Sequence, residues 1–280
     1  MLLRPFAILA LLLGLFTGAW AAEPISGTPK TGQGEPVKKL IVPVYKALGQ
    51  GTKARINLIF ETVSGPMSSS QCERINEQFA RQIIGNYAEY FQPEEPLPDI
   101  LYTVKNAANY IANDYESIFT SLKAEDENFG TEGPIGIIML GRICDYPKGF
   151  LSYRLQDSFA LGDYHGRPAY YGRGLVLNKE TGEPVKLDDI IAPDSHQELG
   201  RLLAQAFHAV CPDSQMDYET IPPSNNFVFD THGVTFIYDT GALESYAVGP
   251  IILTIPWDDF KTVASLPLLW SYSFILLIAG

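Results

Sequence analysis

Two long stripes of apolar residues at helical spacing, set between shorter runs that read as strands, constrain this chain most. Ile75, Phe79, Ile83, Tyr87 and Phe91 recur every four residues, and Val104, Ala108, Ile111, Tyr115, Ile118, Phe119 and Leu122 form a second stripe. Such spacing puts each set on one side of a helix. Ser70 with Glu73 has the spacing of a capping box at the first helix start, and Pro93 and Pro96 end that helix. Upstream, 40–45 and 55–63 read as strands around a Gly49-Gln-Gly51-Thr52 turn, a predicted hairpin. Downstream, 135–140, 151–159 and 169–177 are strand-like, and the glycines at 172 and 174 predict a bulge in the last of them. Asp194 or Ser195 is placed to cap a third helix running to about Val210, with Leu199, Leu202, Leu203, Ala206 and Val210 inward. Strand patterns at 227–229 and 234–238 flank the turn Asp230-Thr-His-Gly233, and 250–255 reads as a closing strand. Elements in blocks, rather than strict βαβ alternation, predict an α+β fold, mainly antiparallel sheet with helices packed on one face.

The ends of the chain read differently. Arg4, the apolar run Phe6 to Phe16 and the small-residue site Ala19-Trp-Ala21 make the pattern of a secretory signal peptide over 1–21. Residues 22–37 are a Pro-, Gly- and Thr-rich leader, expected to be disordered. At the other end, 264–280 is an apolar tail without charge, short for a membrane span and interrupted by Pro267. Membrane association through this tail is an open alternative to packing on the core or on another subunit. The expected location is periplasmic or secreted, after cleavage near Ala21.

Charge narrows the partners. The 280 residues carry 20 Lys+Arg against 32 Asp+Glu, a net charge of −12, which becomes −13 once Arg4 is removed. Nucleic acid and anionic membrane surfaces both require the opposite sign. A hydrophobic content of 46% is enough for a packed core, so a wholly disordered chain is excluded.

Motifs for chemistry are sparse. There is no Gly-x-Ser-x-Gly elbow, no phosphate-cradling Gly-Lys-Ser/Thr loop and no His-Glu-x-x-His helix. No cofactor, metal site or catalytic residue is expected. His196 and His208 lie twelve residues apart on one predicted helix, roughly 120° around its axis, so they do not share a ligand. His232 sits in a turn. His165 is the histidine best placed for ligand contact. It stands in the loop Gly162-Asp163-Tyr164-His165-Gly166 between two strands, beside a carboxylate. Tyr170 and Tyr171 follow it and are the aromatic candidates for stacking on a sugar or anchoring an interface. The pairs Asp188-Asp189 and Asp258-Asp259 sit at element boundaries, where caps or solvated turn carboxylates are expected. Three cysteines, Cys72, Cys144 and Cys211, suit one disulfide and one free thiol in an oxidising compartment. Cys144 with Cys211 is the preferred pair, since both lie near the C-terminal unit; the sequence alone does not assign it.

The second half has a familiar pattern. Asp157 to Gly166, then Gly174 to Gly182 with Asn178 and Thr181-Gly182, then Val185-Lys-Leu-Asp188-Asp189-Ile190, resembles the RsiV-like C-terminal domain family. The runs 227–238 and 246–257 look like that family's closing strands. Ile56 to Thr62 followed by Ile75 to Phe79 is similar to the PdaC-like domain that precedes it in related chains. The resemblance divides the chain into a subdomain at 38–145 and an RsiV-like domain at 146–263. It implies extracytoplasmic, non-catalytic binding of a cell-envelope component or a basic protein such as lysozyme, which the family's anti-sigma member receives. Anti-sigma and deacetylase activities are not carried over. The alternative is a peptidoglycan-directed hydrolase that uses His165 and nearby carboxylates.

Overall fold

A computed structural model describes residues 37–49, 54–92, 102–129, 135–161 and 169–265. Strands β1 (Lys38–Ala47) and β2 (Arg55–Gly65) form the predicted antiparallel hairpin. Helices α1 (Ser69–Phe91) and α2 (Val104–Glu125) follow. They carry the chain back to β3 (Ile135–Cys144), which lies parallel to β2, as a long crossover allows. Strands β4 (Phe150–Leu161) and β5 (Ala169–Asn178) add antiparallel neighbours and complete a five-stranded sheet in sequence order. The expected boundary at 145/146 falls between β3 and β4, which pair from Ile135↔Leu161 to Cys144↔Ser152. Helix α3 (His196–Val210) then leads to a three-stranded antiparallel sheet of β6 (Phe227–Phe229), β7 (Gly233–Tyr238) and β8 (Ile251–Pro256), and to the short helix α4 (Trp257–Phe260). The fold is α+β, as the element pattern predicts.

Helices α1 and α2 cover one face of the large sheet. Ile75, Phe79, Ile83 and Tyr87 from α1, with Ala108, Ile111, Tyr115 and Phe119 from α2, pack onto Leu58, Phe60, Ile137, Met139, Leu151, Tyr153 and Leu155. Phe79 stacks on Tyr153 with ring centroids 4.1 Å apart. Full burial of each large apolar side chain contributes about 1.5–3 kcal/mol, so these two stripes account for the helical layer. The capping box is two residues earlier than its sequence spacing suggested. Ser68 Oγ accepts from Gln71 N and Gln71 Oε1 accepts from Ser68 N, at 3.3 and 3.1 Å. Glutamine supplies the third position as well as glutamate does.

A second core joins α3 to the small sheet, with Leu199, Leu203, Phe207, Phe227, Phe229, Phe236, Leu253 and Phe260 at its centre. Val210, expected inward, is 55% exposed, because the helix ends there and the chain turns away. The small sheet meets the large one at β4 and β5. Ser152 is buried and its Oγ accepts from Phe229 N at 2.8 Å, while Phe150 meets Phe229 edge-on.

The glycines of β5 make no bulge; the β4–β5 register runs unbroken from Phe150↔Asn178 to Phe159↔Ala169. They permit close approach instead. A Cβ at Gly174 would stand 2.4 Å from Phe227 O, and one at Gly172 would stand 2.9 Å from Ile237 Cγ2. The Asn226 side chain occupies the strand edge there, accepting from Gly174 N at 2.6 Å and donating to Gly172 O at 2.9 Å. Further along, Val185 N donates to Val176 O and Asn178 N to Glu183 O. The outer edge of β5 is thereby paired without a sixth strand.

Candidate binding surfaces

Two surfaces bring together polar groups that the cores do not use. The first is the end of α3. Within 188–258 there are eleven Asp+Glu and a single Lys or Arg, Arg201, a net charge of −10. Arg201 is itself engaged by Glu198 at 2.6 Å. Segment 211–219 folds back over the C-terminus of α3. Tyr218 packs edge-on against Phe207, and its carbonyl oxygen lies 3.0 Å from His208 Nε2, which therefore carries the proton. Ser214 Oγ donates to Glu244, and Tyr218 OH donates to Leu243 O at 2.9 Å, tying this segment to the loop after β7. The Ser214 hydroxyl and the Ser245 amide hold the Glu244 carboxyl below the usual carboxylate range.

This arrangement leaves Asp213, Asp217 and Glu219 exposed, together with Met216 and Val210. Asp213, two residues past the C-cap Cys211, faces the negative end of the α3 dipole, the unfavourable sign, whereas Ile221 N donates to Gly200 O and so carries Glu219 back along the helix. His208 is the one basic residue of the last turn, and Asp217 stands 4.0 Å from its Nε2. The surface is acidic with apolar points.

The second surface is a cleft of about 550 Å³ between α1 and β5. Gln78, Gln82 and Asn86 recur every four residues along α1 and line it with Arg81 and Glu89, while Arg173 reaches in from β5. The turn after β5 closes one end, where Arg74 Nε donates to Thr181 O at 3.1 Å. Arg173 lies 2.6 Å from Asp239 and 3.2 Å from Glu89, and Arg81 lies 2.7 Å from Glu77. Asn86 donates to Asp157 beneath the cleft, both residues being buried.

The residues singled out in the sequence fall elsewhere. Asp163, Tyr164 and His165 lie outside the described residues. Tyr170 and Tyr171 belong to β5, paired with Ser158 and Asp157, and their side chains are likewise outside. His196 Nε2 faces Asp188 at 3.2 Å, at the other end of α3 from His208. Asp189 accepts from Lys186 N in a short 3-10 turn, as a boundary carboxylate should. The Cys144–Cys211 pairing is corrected: Cys72, Cys144 and Cys211 are all free thiols. Cys144 ends β3 among Asp230, Lys39 and Asp145, whereas Cys211 ends α3 near Glu244. They belong to different surroundings. Among the described residues there is no metal-ligating cluster, and no helix is long and apolar enough to cross a membrane.

Family comparison places the acidic region. Residues 188–258 match the family model described as "Protein of unknown function (DUF3298)". Two solved structures share the fold well beyond this stretch. A member of the DUF3298 family from Bacteroides fragilis is similar over 82% of this chain and 94% of its own, at 21% identity and a TM-score of 0.61. A DUF3298 family protein from Pseudomonas aeruginosa is similar over 84% and 97%, at 12% identity and a TM-score of 0.58. No curated protein matches the chain. The acidic surface on α3 thus lies inside the matched stretch, and the residues lining the α1–β5 cleft all precede it.

Proposed function

We propose that this chain is a secreted or periplasmic, non-catalytic binding module whose DUF3298 domain recognises a basic protein such as lysozyme, or a cationic component of the cell envelope. One observation carries the reading: eleven carboxylates against one arginine in 188–258, with Asp213, Asp217 and Glu219 exposed on the segment after α3, where like charges repel one another. A cationic partner relieves that repulsion, and complementary charge speeds encounter. The signal-peptide pattern of 1–21 and the resemblance to the RsiV-like family point the same way. Titration of the purified protein with lysozyme tests the reading. Binding is expected at low salt, weakening about tenfold at moderate salt as the charges are screened. Absence of binding at low salt removes lysozyme as the partner.

A further inference from the structure

The α1–β5 cleft carries chemistry that the acidic surface does not, and its ligand can be read from its donors and acceptors. Gln78 and Gln82 are half-buried in it, and their side-chain amides make no hydrogen bond with the described residues. Each primary amide offers both a donor and an acceptor. The two guanidinium groups, by contrast, already hold carboxylates: Arg81 is engaged by Glu77, and Arg173 by Asp239 and Glu89. Neither is an open anion site, and Glu89 is likewise engaged and no open cation site.

Gly85 gives an independent indication. It stands in the middle of a 23-residue helix, where glycine costs about 1 kcal/mol relative to alanine. No neighbour requires it, since a Cβ there would meet nothing within 4 Å. The helix backbone is bare on the side that faces the cleft. Leu175 and Pro184 supply an apolar strip on the opposite wall. The volume of about 550 Å³ lies in the usual range for a small-molecule site.

We infer that the α1–β5 cleft binds a neutral, hydroxyl-rich ligand, a short oligosaccharide, through the amides of Gln78 and Gln82. Sugar hydroxyls, like amides, donate and accept together. A ring laid over Gly85 approaches the helix closely, and its C–H face meets Leu175 and Pro184. The carboxylate-held guanidinium of Arg173 offers its remaining N–H groups to further hydroxyls without requiring a charge on the ligand.

The probes are maltotriose, cellotriose and tri-N-acetylchitotriose, titrated calorimetrically into the full chain up to about 10 mM, beyond the millimolar affinities of weak sites. Binding of at least one is expected, insensitive to salt. Gly85→Leu fills the bare space while raising helix propensity, so the fold is retained and checked by thermal melting. This variant is expected to abolish saccharide binding, and Gln82→Ala to weaken it about tenfold. No binding of any of the three overturns the inference, as does undiminished binding to the Gly85→Leu protein. Lysozyme titrated into the Gly85→Leu variant is expected to behave as with the unaltered protein, so failure of this site and failure of the acidic surface are told apart.

Discussion

Cys144 shows how a single half-buried group sets the molecule's response to pH. Burial, with Asp230 adding to it, pushes this thiol from 9.0 up to about 11. The folded state therefore favours the protonated thiol. Its contribution is whole below the unfolded value and is lost as pH rises through the folded one, roughly 2–3 kcal/mol across that window. Urea unfolding at about pH 8 and about pH 11 checks this: the loss on going alkaline should be smaller in Cys144→Ala than in the unaltered protein by that amount. An equal loss in both contradicts it. At the same scale lies the part of the fold that sequence could not disclose. The Asn226 side chain takes the place of a strand against Gly172 and Gly174. Those glycines suggested a bulge because the strand pattern alone cannot tell a local kink from close approach by a distant backbone, here that of Phe227.

Elements were legible where one periodicity dominated. The stripes of α1 and α2 predicted which residues are buried, because a helix packed on a sheet presents one face to it. Boundaries were less legible. A run of three serines, Ser68 to Ser70, offers more than one candidate cap, and the choice depends on which partner stands three residues on. The structure selects Ser68 with Gln71. Thermal or urea unfolding distinguishes the two readings: Ser68→Ala should cost about 1 kcal/mol, whereas Ser70→Ala and Glu73→Ala should cost little. A larger cost at Ser70 would restore the start two residues later. The cleft on α1 was not visible in sequence for a related reason. Gln78, Gln82 and Asn86 line a cleft only once β5 and Pro184 are laid alongside.

Across the whole molecule, charge is unevenly placed. Of a net −12, a net −10 resides in the 71 residues that match the DUF3298 model, 188–258. The sequence made the acidity legible, and with it the exclusion of polyanionic partners. It did not show that the segment bearing Asp213, Asp217 and Glu219 lies back along α3, since that depends on Tyr218 folding onto Phe207, on Ile221 N donating to Gly200 O and on Ser214 reaching Glu244. The account rests on this concentration of charge being a recognition surface. Affinity for lysozyme at low salt, compared between the unaltered protein and the combined variant Asp213→Asn, Asp217→Asn, Glu219→Gln, tests it most directly. The account predicts that the variant melts no lower than the parent and binds about tenfold or more weakly; affinity unchanged by the three substitutions would contradict it.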